Sequence, residues 1–136
     1  MGRLQGKRAV ILGASSAGNM GQHIARRFLA EGASVLVSGR KTAVLEDFAA
    51  HNGCAWAACD LTDETSVEAL AESAASKLGG IDIALNATGW GLLKPFLDTT
   101  HEEVMAMTML QYVGPFHFFQ SMLRRMARSH GGTGGG

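Results

Sequence analysis

The 136 residues suffice for one domain with a hydrophobic core, because a chain of this size buries roughly two-thirds of its unfolded surface, and they leave no room for a second domain. Acidic and basic side chains cancel to a net charge of zero, so no long-range field attracts nucleic acid or an anionic membrane. No apolar run approaches the ~20 residues that span a bilayer, and the start MGRLQGKRAVIL is too interrupted for a signal peptide. We therefore expect a cytoplasmic protein whose partner is a small molecule or another protein.

The first half of the chain alternates short apolar runs with helical patterns. RAVIL at residues 8–12 is a continuous apolar run, which is typical of a strand covered on both faces. Residues 21–31 carry an amphipathic helical pattern that ends at Gly32, a residue suited to a helix C-cap. The next predicted elements are a strand at 33–38, a short helix at 42–50 and a weaker strand at 54–59.

The second half continues the alternation with longer helices. TSVE at residues 65–68 resembles a capping box and predicts the start of a helix with an apolar stripe. IDIAL at 81–85 is a fourth predicted strand. A second capping box, THEE at 100–103, opens the longest predicted helix, which runs towards His130. The segment GGTGGG at 131–136 is the one low-complexity stretch, and we expect it to be a flexible tail.

This order of elements predicts the fold class. Strands separated by helices of these lengths require right-handed crossovers, and such crossovers produce a parallel sheet with helices on both faces. We therefore predict a doubly wound α/β fold in which residues 1–130 form one domain and residues 131–136 lie outside it.

Neither the cysteines nor the histidines indicate a site of their own. Cys54 and Cys59 fall in one predicted strand at positions that point to opposite faces of the sheet, so a disulfide between them is not expected. The five histidines lack metal-ligand spacing, and no metal site is predicted.

A glycine-rich segment, LGASSAGNMG, joins the first strand to the first helix. In an open parallel sheet, ligands bind at the carboxyl ends of the strands, which is where this segment lies. Gly13 can take the sharp turn, Gly18 lets the backbone approach a pyrophosphate, and Gly21 lets the helix pack closely on the strand. Ser15 and Ser16 add hydroxyl donors. Such loops also serve as plain turns, but this position between strand and helix favours nucleotide binding.

The residues after the second predicted strand favour one cofactor over another. The segment SGRK offers Ser38, Arg40 and Lys41 but no acidic side chain. An Asp or Glu at this place would bind the ribose 2′-hydroxyl of NAD, whereas an Arg can pair with a 2′-phosphate. The segment therefore predicts NADP in preference to NAD, with a solvated loop charge as the alternative role for Arg40.

Taken together, these segments resemble the N-terminal, cofactor-binding part of the short-chain dehydrogenase/reductase family. The glycine loop is similar to the family's T-G-x-x-x-G-x-G, with Leu12 in place of Thr and two additional residues before the last glycine. CDLTD resembles the family's D-V/L-T segment after the third strand. LNATG resembles its N-N-A-G segment after the fourth, with Ala87 in place of the second Asn and Thr88 in place of Ala.

The resemblance implies a Rossmann-like fold and a set of cofactor contacts. Asp60 is expected to accept a hydrogen bond from the adenine amino group, with Leu61 beside the ring. Asn86 and Gly89 are expected near the cofactor. The expected cofactor-binding residues are Gly13, Ser15, Ser16, Gly18, Met20, Gly21, Ser38, Arg40, Lys41, Asp60, Leu61, Asn86, Ala87 and Gly89.

The longest helix carries large apolar residues in a four-three alternation from Met105 to Met126. This seam predicts a core face against the sheet, and the resemblance adds a second interpretation, a contact with another copy in a homo-oligomer. Gly114 and Pro115 predict a kink midway, since proline removes a backbone donor and crowds the preceding turn. Gln111 stands where the family has a catalytic Asn, which makes it a weak catalytic candidate.

The resemblance implies an oxidoreductase that interconverts an alcohol and a carbonyl, or reduces an enoyl bond, by hydride transfer. The proton at the substrate oxygen requires an acid or base, which the family supplies as a Tyr with a Lys four residues later, helped by a Ser. Tyr112 is the only tyrosine and has Phe116 in the Lys position. We therefore expect the cofactor-binding half of such an enzyme, with a fold that stops after the fourth strand and the long helix. Two alternatives stay open, namely a non-catalytic nucleotide-binding or subunit-interaction module and a truncated product without an independent role.

Overall fold

Four short strands form a single parallel sheet in the computed structural model, which describes residues 2–134. Gly135 and Gly136 of the predicted tail, like Met1, lie outside the described residues. The strand order is β3-β2-β1-β4. From β1 the chain adds β2 and β3 on one side and then returns to add β4 on the other side of β1, which confirms the doubly wound prediction. The strands are β1 at Arg8–Leu12, β2 at Ser34–Gly39, β3 at Ala55–Ala58 and β4 at Ile83–Asn86.

The helices cover both faces of this sheet. They are α1 at Met20–Ala30, α2 at Thr42–Asn52, α3 at Glu64–Leu78, α4 at His101–Thr108 and α5 at Gly114–Met126. A single π-helical turn at Met109–Val113 joins α4 to α5, and short 3-10 turns occupy Phe96–Asp98 and Arg128–His130. Each predicted helix and strand is present, and most boundaries lie within about two residues of the prediction. The exception is the longest predicted helix, which is interrupted by the π turn and ends at Met126 instead of running to His130.

The alternating side chains of β1 build two separate halves of the core. Ala9 and Ile11 pack on the side of α1 and α2, where Phe48 is buried. Val10 and Leu12 pack on the opposite side, against α3 and α5. All four of these β1 residues are shielded from solvent, which confirms that RAVIL is a strand covered on both faces.

One of the two predicted capping boxes is confirmed and the other is wrong. At the start of α4, the Thr100 hydroxyl accepts from the Glu103 N–H while the Glu103 carboxylate accepts from the Thr100 N–H. At α3, by contrast, Asp63 is the N-cap and accepts from the N–H of Thr65. The helix therefore begins before the predicted box, which leaves Glu68 free to bind Arg125 of α5 at 2.6 Å.

The long helix buries a different face from the one its apolar seam predicts. Tyr112 is 75% exposed, Phe116 58% and Leu123 55%, whereas Phe118 and Met122 are fully buried. The core prediction for the seam is therefore wrong for these residues, although Met126 at the end of the seam is buried in the core. The inward face combines Gly114 and Ser121, which allow a close approach, with the large side chains of Phe118 and Met122.

At Gly114 the backbone of the long helix packs directly on Leu61. A Cβ on Gly114 would lie 2.8 Å from Leu61 Cγ and would overlap the Leu61 carbonyl oxygen. The π turn precedes Gly114 directly, and the Gly114 N–H reaches back five residues to the Met109 carbonyl. This irregularity falls where Gly114 and Pro115 predict one, since proline cannot donate to the regular ladder.

A partly buried ion pair joins the amino-terminal edges of β1 and β4. The Arg8 guanidinium donates to both carboxylate oxygens of Asp82, at 2.8 and 3.0 Å, and also to the Gly79 carbonyl. The Thr133 hydroxyl donates to the same carboxylate at 2.7 Å. Hydrogen bonding from Arg8 holds the pKa of Asp82 well below its usual range. The last described residues are thus attached to the base of the sheet.

We expect the substitution Asp82→Asn to lower the free energy of unfolding by about 2 to 3 kcal/mol at pH 7, since an amide donor would then face the Arg8 guanidinium. The folded-state pKa of Asp82 lies below its unfolded value, so its stabilisation is present above about pH 4 and is lost as the pH falls towards the folded value. Urea unfolding between pH 7 and pH 3 measures both effects. Asp98→Asn changes an exposed carboxylate and is the control, and an equal loss in both variants contradicts the assignment.

We also expect Gly114→Ala to be destabilising, although alanine normally stabilises a helix by roughly 0.5 to 1 kcal/mol relative to glycine. The added methyl overlaps the Leu61 backbone, so the free energy of unfolding should fall by about 1 to 3 kcal/mol. Gly91→Ala is the control, because a Cβ there meets nothing within 4 Å. Thermal unfolding is the measurement, and a Gly114→Ala variant as stable as the wild type would contradict the packing argument.

Candidate functional site

The carboxyl ends of all four strands open into one cavity of about 500 Å³. This is the edge of a doubly wound sheet at which ligands bind. The cavity is lined by Leu12, Gly13, Ser15, Ser16, Asn19, Gly39, Arg40, Cys59, Asp60, Leu61, Thr62, Ala87, Thr88, Gly89, Trp90, Ala106 and Leu110.

The turn after β1 is held in place by its two neighbouring strands. The N–H groups of Gly13 and Ala14 both donate to the Ser38 carbonyl of β2 at 2.9 Å. On the other side, a Cβ on Gly13 would lie 2.6 Å from the Ala87 carbonyl carbon after β4. Gly13 also has a φ of 100°, which side chains rarely tolerate. Only glycine fits this turn, because of the contact with Ala87 and because of the positive φ.

The first turn of α1 packs directly on this loop. A Cβ on Gly21 would lie 2.8 Å from the Gly13 carbonyl carbon and would overlap its oxygen. Gly18 has a φ of 69°, and a Cβ there would meet nothing. The close approach of helix and strand at Gly21 is the one that the sequence predicts, and Gly18 stands in open space beside it.

Two side chains form hydrogen bonds with the loop, one from Asn19, the N-cap residue of α1, and one from Gln22 in its first turn. The Asn19 amide donates to the Gly13 carbonyl at 2.9 Å, and its oxygen accepts from the Gln22 N–H. The Gln22 amide donates to the Ala14 carbonyl and accepts from the Gly18 N–H, each at 3.0 Å. Sequence reasoning missed both residues. An Asn before a helical pattern is a capping signal that could have found Asn19, whereas nothing in the sequence pattern singles out Gln22.

Polar groups from β1 and β2 meet at one wall of the cavity. Ser15, Ser16 and Arg40 line this wall together. Ser15 lies tightly against Gly39, where a Cβ would come within 2.6 Å of the Ser15 Cβ. Gly39 therefore brings the Ser15 hydroxyl to the end of β2, next to Arg40 in the chain. A cation and two hydroxyls at this position form a surface suited to an anion.

Asp60 follows β3 and has a fixed geometry. Its Oδ1 accepts from the Thr62 N–H at 3.0 Å and from the Thr62 hydroxyl at 2.7 Å. These hydrogen bonds lower the pKa of Asp60, and the positive charge of Arg40 lowers it further. Asp60 is therefore an ionised acceptor at neutral pH. Leu61 lines the cavity beside it.

The segment after β4 closes the opposite wall. The Asn86 side chain accepts from the N–H and the hydroxyl of Thr88, at 3.0 and 2.6 Å. Trp90 also lines the cavity, and its carbonyl oxygen accepts from the side-chain amide of Gln111 in the π turn. This hydrogen bond connects the wall to the long helix, which contributes Leu110 to the lining.

The structure brings most of the sequence-predicted residues to the cavity, but not all of them. Those in its lining are Gly13, Ser15, Ser16, Arg40, Asp60, Leu61, Ala87 and Gly89. Those outside the lining are Gly18, Met20, Gly21, Ser38, Lys41, Asn86 and Gln111.

Ser38 is the clearest departure from prediction. Its side chain is fully buried and its hydroxyl donates to the Ala57 carbonyl of β3 at 2.7 Å. Its contribution is structural, through the carbonyl that anchors the turn after β1. Ser38 therefore does not offer its hydroxyl to a ligand, since that hydroxyl is already used within the sheet.

The cysteines lie on opposite faces of the sheet, as the sequence predicts, and both are free thiols. Burial raises the pKa of each to about 11, so neither is a thiolate at neutral pH. Cys59 forms part of the cavity lining as a small apolar group.

Within residues 2–134, no group of three or more metal-binding side chains could hold an ion. The described part of the chain also lacks a helix long and apolar enough to cross a bilayer.

The chain resembles known proteins along most of its length. Residues 13–134 match the family model described as enoyl-(acyl carrier protein) reductase. The chain is 37% identical over 136 residues to the 7alpha-hydroxysteroid dehydrogenase of Escherichia coli strain K12, covering 96% of this chain and 52% of that protein. It is 30% identical over 139 residues to the D-threitol dehydrogenase of Mycolicibacterium smegmatis, covering 96% of this chain and 52% of that protein.

Solved structures give the same result. A short chain dehydrogenase from Mycobacterium smegmatis superposes with a TM-score of 0.86 at 27% identity, covering 90% of this chain and 52% of that one. A short chain dehydrogenase from Burkholderia cenocepacia J2315 in complex with NADP gives a TM-score of 0.82 at 29% identity, with the same coverage of 90% and 52%. The chain spans about half the length of the curated relatives it matches. From its sheet order, the position of its cavity and these matches, the chain belongs to the short-chain dehydrogenase/reductase family of NAD(P)-binding oxidoreductases.

Proposed function

We propose that the chain is the cofactor-binding half of an NADP(H)-dependent oxidoreductase that interconverts an alcohol and a carbonyl compound. The observation that carries the proposal is the convergence of Arg40, the Ser15 and Ser16 hydroxyls and Asp60 in one cavity at the carboxyl ends of the strands. Arg40 and the hydroxyls match the phosphate end of an adenine dinucleotide, and Asp60 matches its adenine. Their order along the cavity follows the order of the strands, β1, β2 and β3.

The preference for NADP rests on Arg40 and on the absence of a carboxylate directly after β2. A guanidinium pairs with a phosphate through two hydrogen bonds, whereas a ribose hydroxyl is recognised by an acidic side chain. Ser15, which packs on Gly39, offers a hydroxyl beside Arg40 for the same phosphate. The related Burkholderia structure, which was solved with NADP, supports this assignment.

The other cofactor contacts follow from the remaining walls. Asp60 would accept a hydrogen bond from the adenine amino group through its second carboxylate oxygen, because Oδ1 is held by Thr62. Leu61 would lie against the adenine ring. Ala87 and Gly89 would lie beside the nicotinamide half, where their own small size leaves room for a flat ring.

When bound, the cofactor supplies or accepts a hydride, and the substrate oxygen then needs a group that moves a proton. Tyr112 does not fit that role, because it is 75% exposed and has Phe116 in the Lys position. We place the catalytic Tyr, Lys and Ser outside these 136 residues. Gln111, at the family's Asn position, would contribute by fixing Trp90 through its hydrogen bond.

A cytoplasmic location is part of the same proposal. Cys54 and Cys59 are free thiols on opposite faces of the sheet and cannot bridge one another. Unpaired cysteines of this kind are usual in a reducing compartment.

A second role, as a subunit-interaction module, is supported by one specific observation. The exposed seam residues are Met105, Tyr112, Phe116, Phe119 and Leu123, and each is more than 40% exposed. Large apolar side chains left exposed in such number are a feature of protein-contact surfaces. We propose that it packs against a second copy of this chain, so that the protein is a homo-oligomer that binds the nucleotide whether or not it performs chemistry.

We expect the 136-residue chain to bind NADPH more tightly than NADH, and Arg40→Ala to abolish that preference. Loss of a charge-assisted pair with the 2′-phosphate should weaken NADPH binding about tenfold to a hundredfold and leave NADH nearly unchanged. Isothermal titration calorimetry with both cofactors measures this. Arg124→Ala, which removes an exposed arginine of α5, is the control. Equal weakening of both cofactors by Arg40→Ala contradicts the 2′-phosphate assignment, and no binding of either cofactor to the wild type contradicts the proposed function.

For the seam, we expect size-exclusion chromatography with light scattering to show an oligomer in the wild type. The double substitution Tyr112→Glu and Phe119→Glu should give a folded monomer, because buried carboxylates at an interface are costly. Replacing the exposed Glu72 and Lys77 of α3 by Ala serves as the control and should leave the assembly unchanged. A wild-type chain that runs as a stable monomer at all concentrations contradicts the interaction role.

A further inference from the structure

The glycine loop of this chain is two residues longer than the pattern it resembles, and its shape depends on one buried side chain. Gln22, in the first turn of α1, is 2% exposed. Its amide nitrogen donates to the Ala14 carbonyl, and its amide oxygen accepts from the Gly18 N–H, each at 3.0 Å. One side chain thus connects the beginning of the loop with its end.

These two hydrogen bonds orient the peptide groups of the loop. All peptide bonds in the described part of the chain are trans, so the C=O and N–H of one peptide group point in opposite directions. The peptide that joins Ala14 to Ser15 has its carbonyl held by the buried Gln22 amide. Its N–H, which belongs to Ser15, therefore points away from Gln22, and Ser15 lines the cavity.

The preceding peptide group is fixed in a similar way. The Gly13 carbonyl accepts from the Asn19 amide, and the Ala14 N–H of the same peptide donates to the Ser38 carbonyl. The orientation of two consecutive peptide groups is thus fixed by protein partners, which are Asn19 and Ser38 for the first and Gln22 for the second. Among residues 2–134, no acceptor takes up the Ser15 N–H, so this donor is available to a ligand in the cavity.

We propose that Gln22 is a positioning residue for cofactor binding, which holds the Ala14 carbonyl so that the Ser15 N–H points at the cofactor's pyrophosphate. An N–H group that is already oriented in the free protein costs no reorganisation when it donates to an anion. Without Gln22, the elongated loop would have a free carbonyl at Ala14 and a free N–H at Gly18. The Ala14 peptide could then turn its oxygen towards the phosphate, which would repel it.

This proposal rests on the proposed function, because it assumes that the cavity binds a dinucleotide. It differs from the proposal for Arg40, which concerns only the 2′-phosphate. Gln22 affects the pyrophosphate, a group that NADPH and NADH share. The two assignments therefore predict different patterns of loss across a set of ligands.

The test is the substitution Gln22→Met, which preserves the length and volume of the side chain but removes both hydrogen bonds. We expect about tenfold weaker binding of NADPH, NADH and ADP-ribose, each of which carries the pyrophosphate. Binding of adenosine, which carries no phosphate, should change less than about twofold. Gln120→Met, at an exposed position of α5, is the matched control and should change none of these affinities.

A measurement on the wild type keeps the proposal testable if Gln22→Met fails to fold. Titration of the isotopically labelled chain with inorganic pyrophosphate should shift the backbone amide resonance of Ser15 by nuclear magnetic resonance. Two results overturn the role of Gln22 and leave the proposed function standing. One is a wild type that binds NADPH but shows no Ser15 shift in the pyrophosphate titration, and the other is an unchanged NADPH affinity in folded Gln22→Met. Failure of the wild type to bind any dinucleotide overturns both.

Discussion

Crowding at the end of β1 is the constraint on which the rest of the site depends. Gly13 has strand β2 on one side, through the Ser38 carbonyl, and the backbone of Ala87 on the other. The first turn of α1 then packs on Gly13 through Gly21. Because three segments meet at one residue without a side chain, the ends of β1, β2 and β4 are brought close enough to share one cavity. The walls that carry Arg40, Asp60 and Trp90 follow from that convergence.

Much of this arrangement can be predicted from the sequence, since apolar runs and helix signals locate the elements. Once the strands are known, the rule that ligands bind at their carboxyl ends places Ser15, Arg40 and Asp60 together. Ser38 could not be placed in this way. Its hydroxyl is used by the Ala57 carbonyl because β2 and β3 pair in a register that sets these two residues opposite each other. Sequence spacing does not reveal that register.

The long helix shows a different limit of sequence reasoning. A regular seam of large apolar residues normally indicates the buried face, but Gly114 and Ser121 lie on the face that packs inward. Gly114 brings the helix backbone against Leu61, and Phe118 and Met122 on the same face fill the core beside it. Gln22 was missed for a related reason. A polar residue in the first turn of a surface helix is ordinarily solvated, and only the folded loop shows that it is buried.

The ion pair between Arg8 and Asp82 lies at the amino-terminal edge of the sheet, while the cavity lies at the other edge. A five-residue strand separates the two by about 13 Å, and the residues of one take no part in the other. This ion pair is therefore spatially separate from the cavity along β1. An engineer could strengthen the Arg8 edge, where Thr133 is already attached, without altering the chemistry of the opposite end.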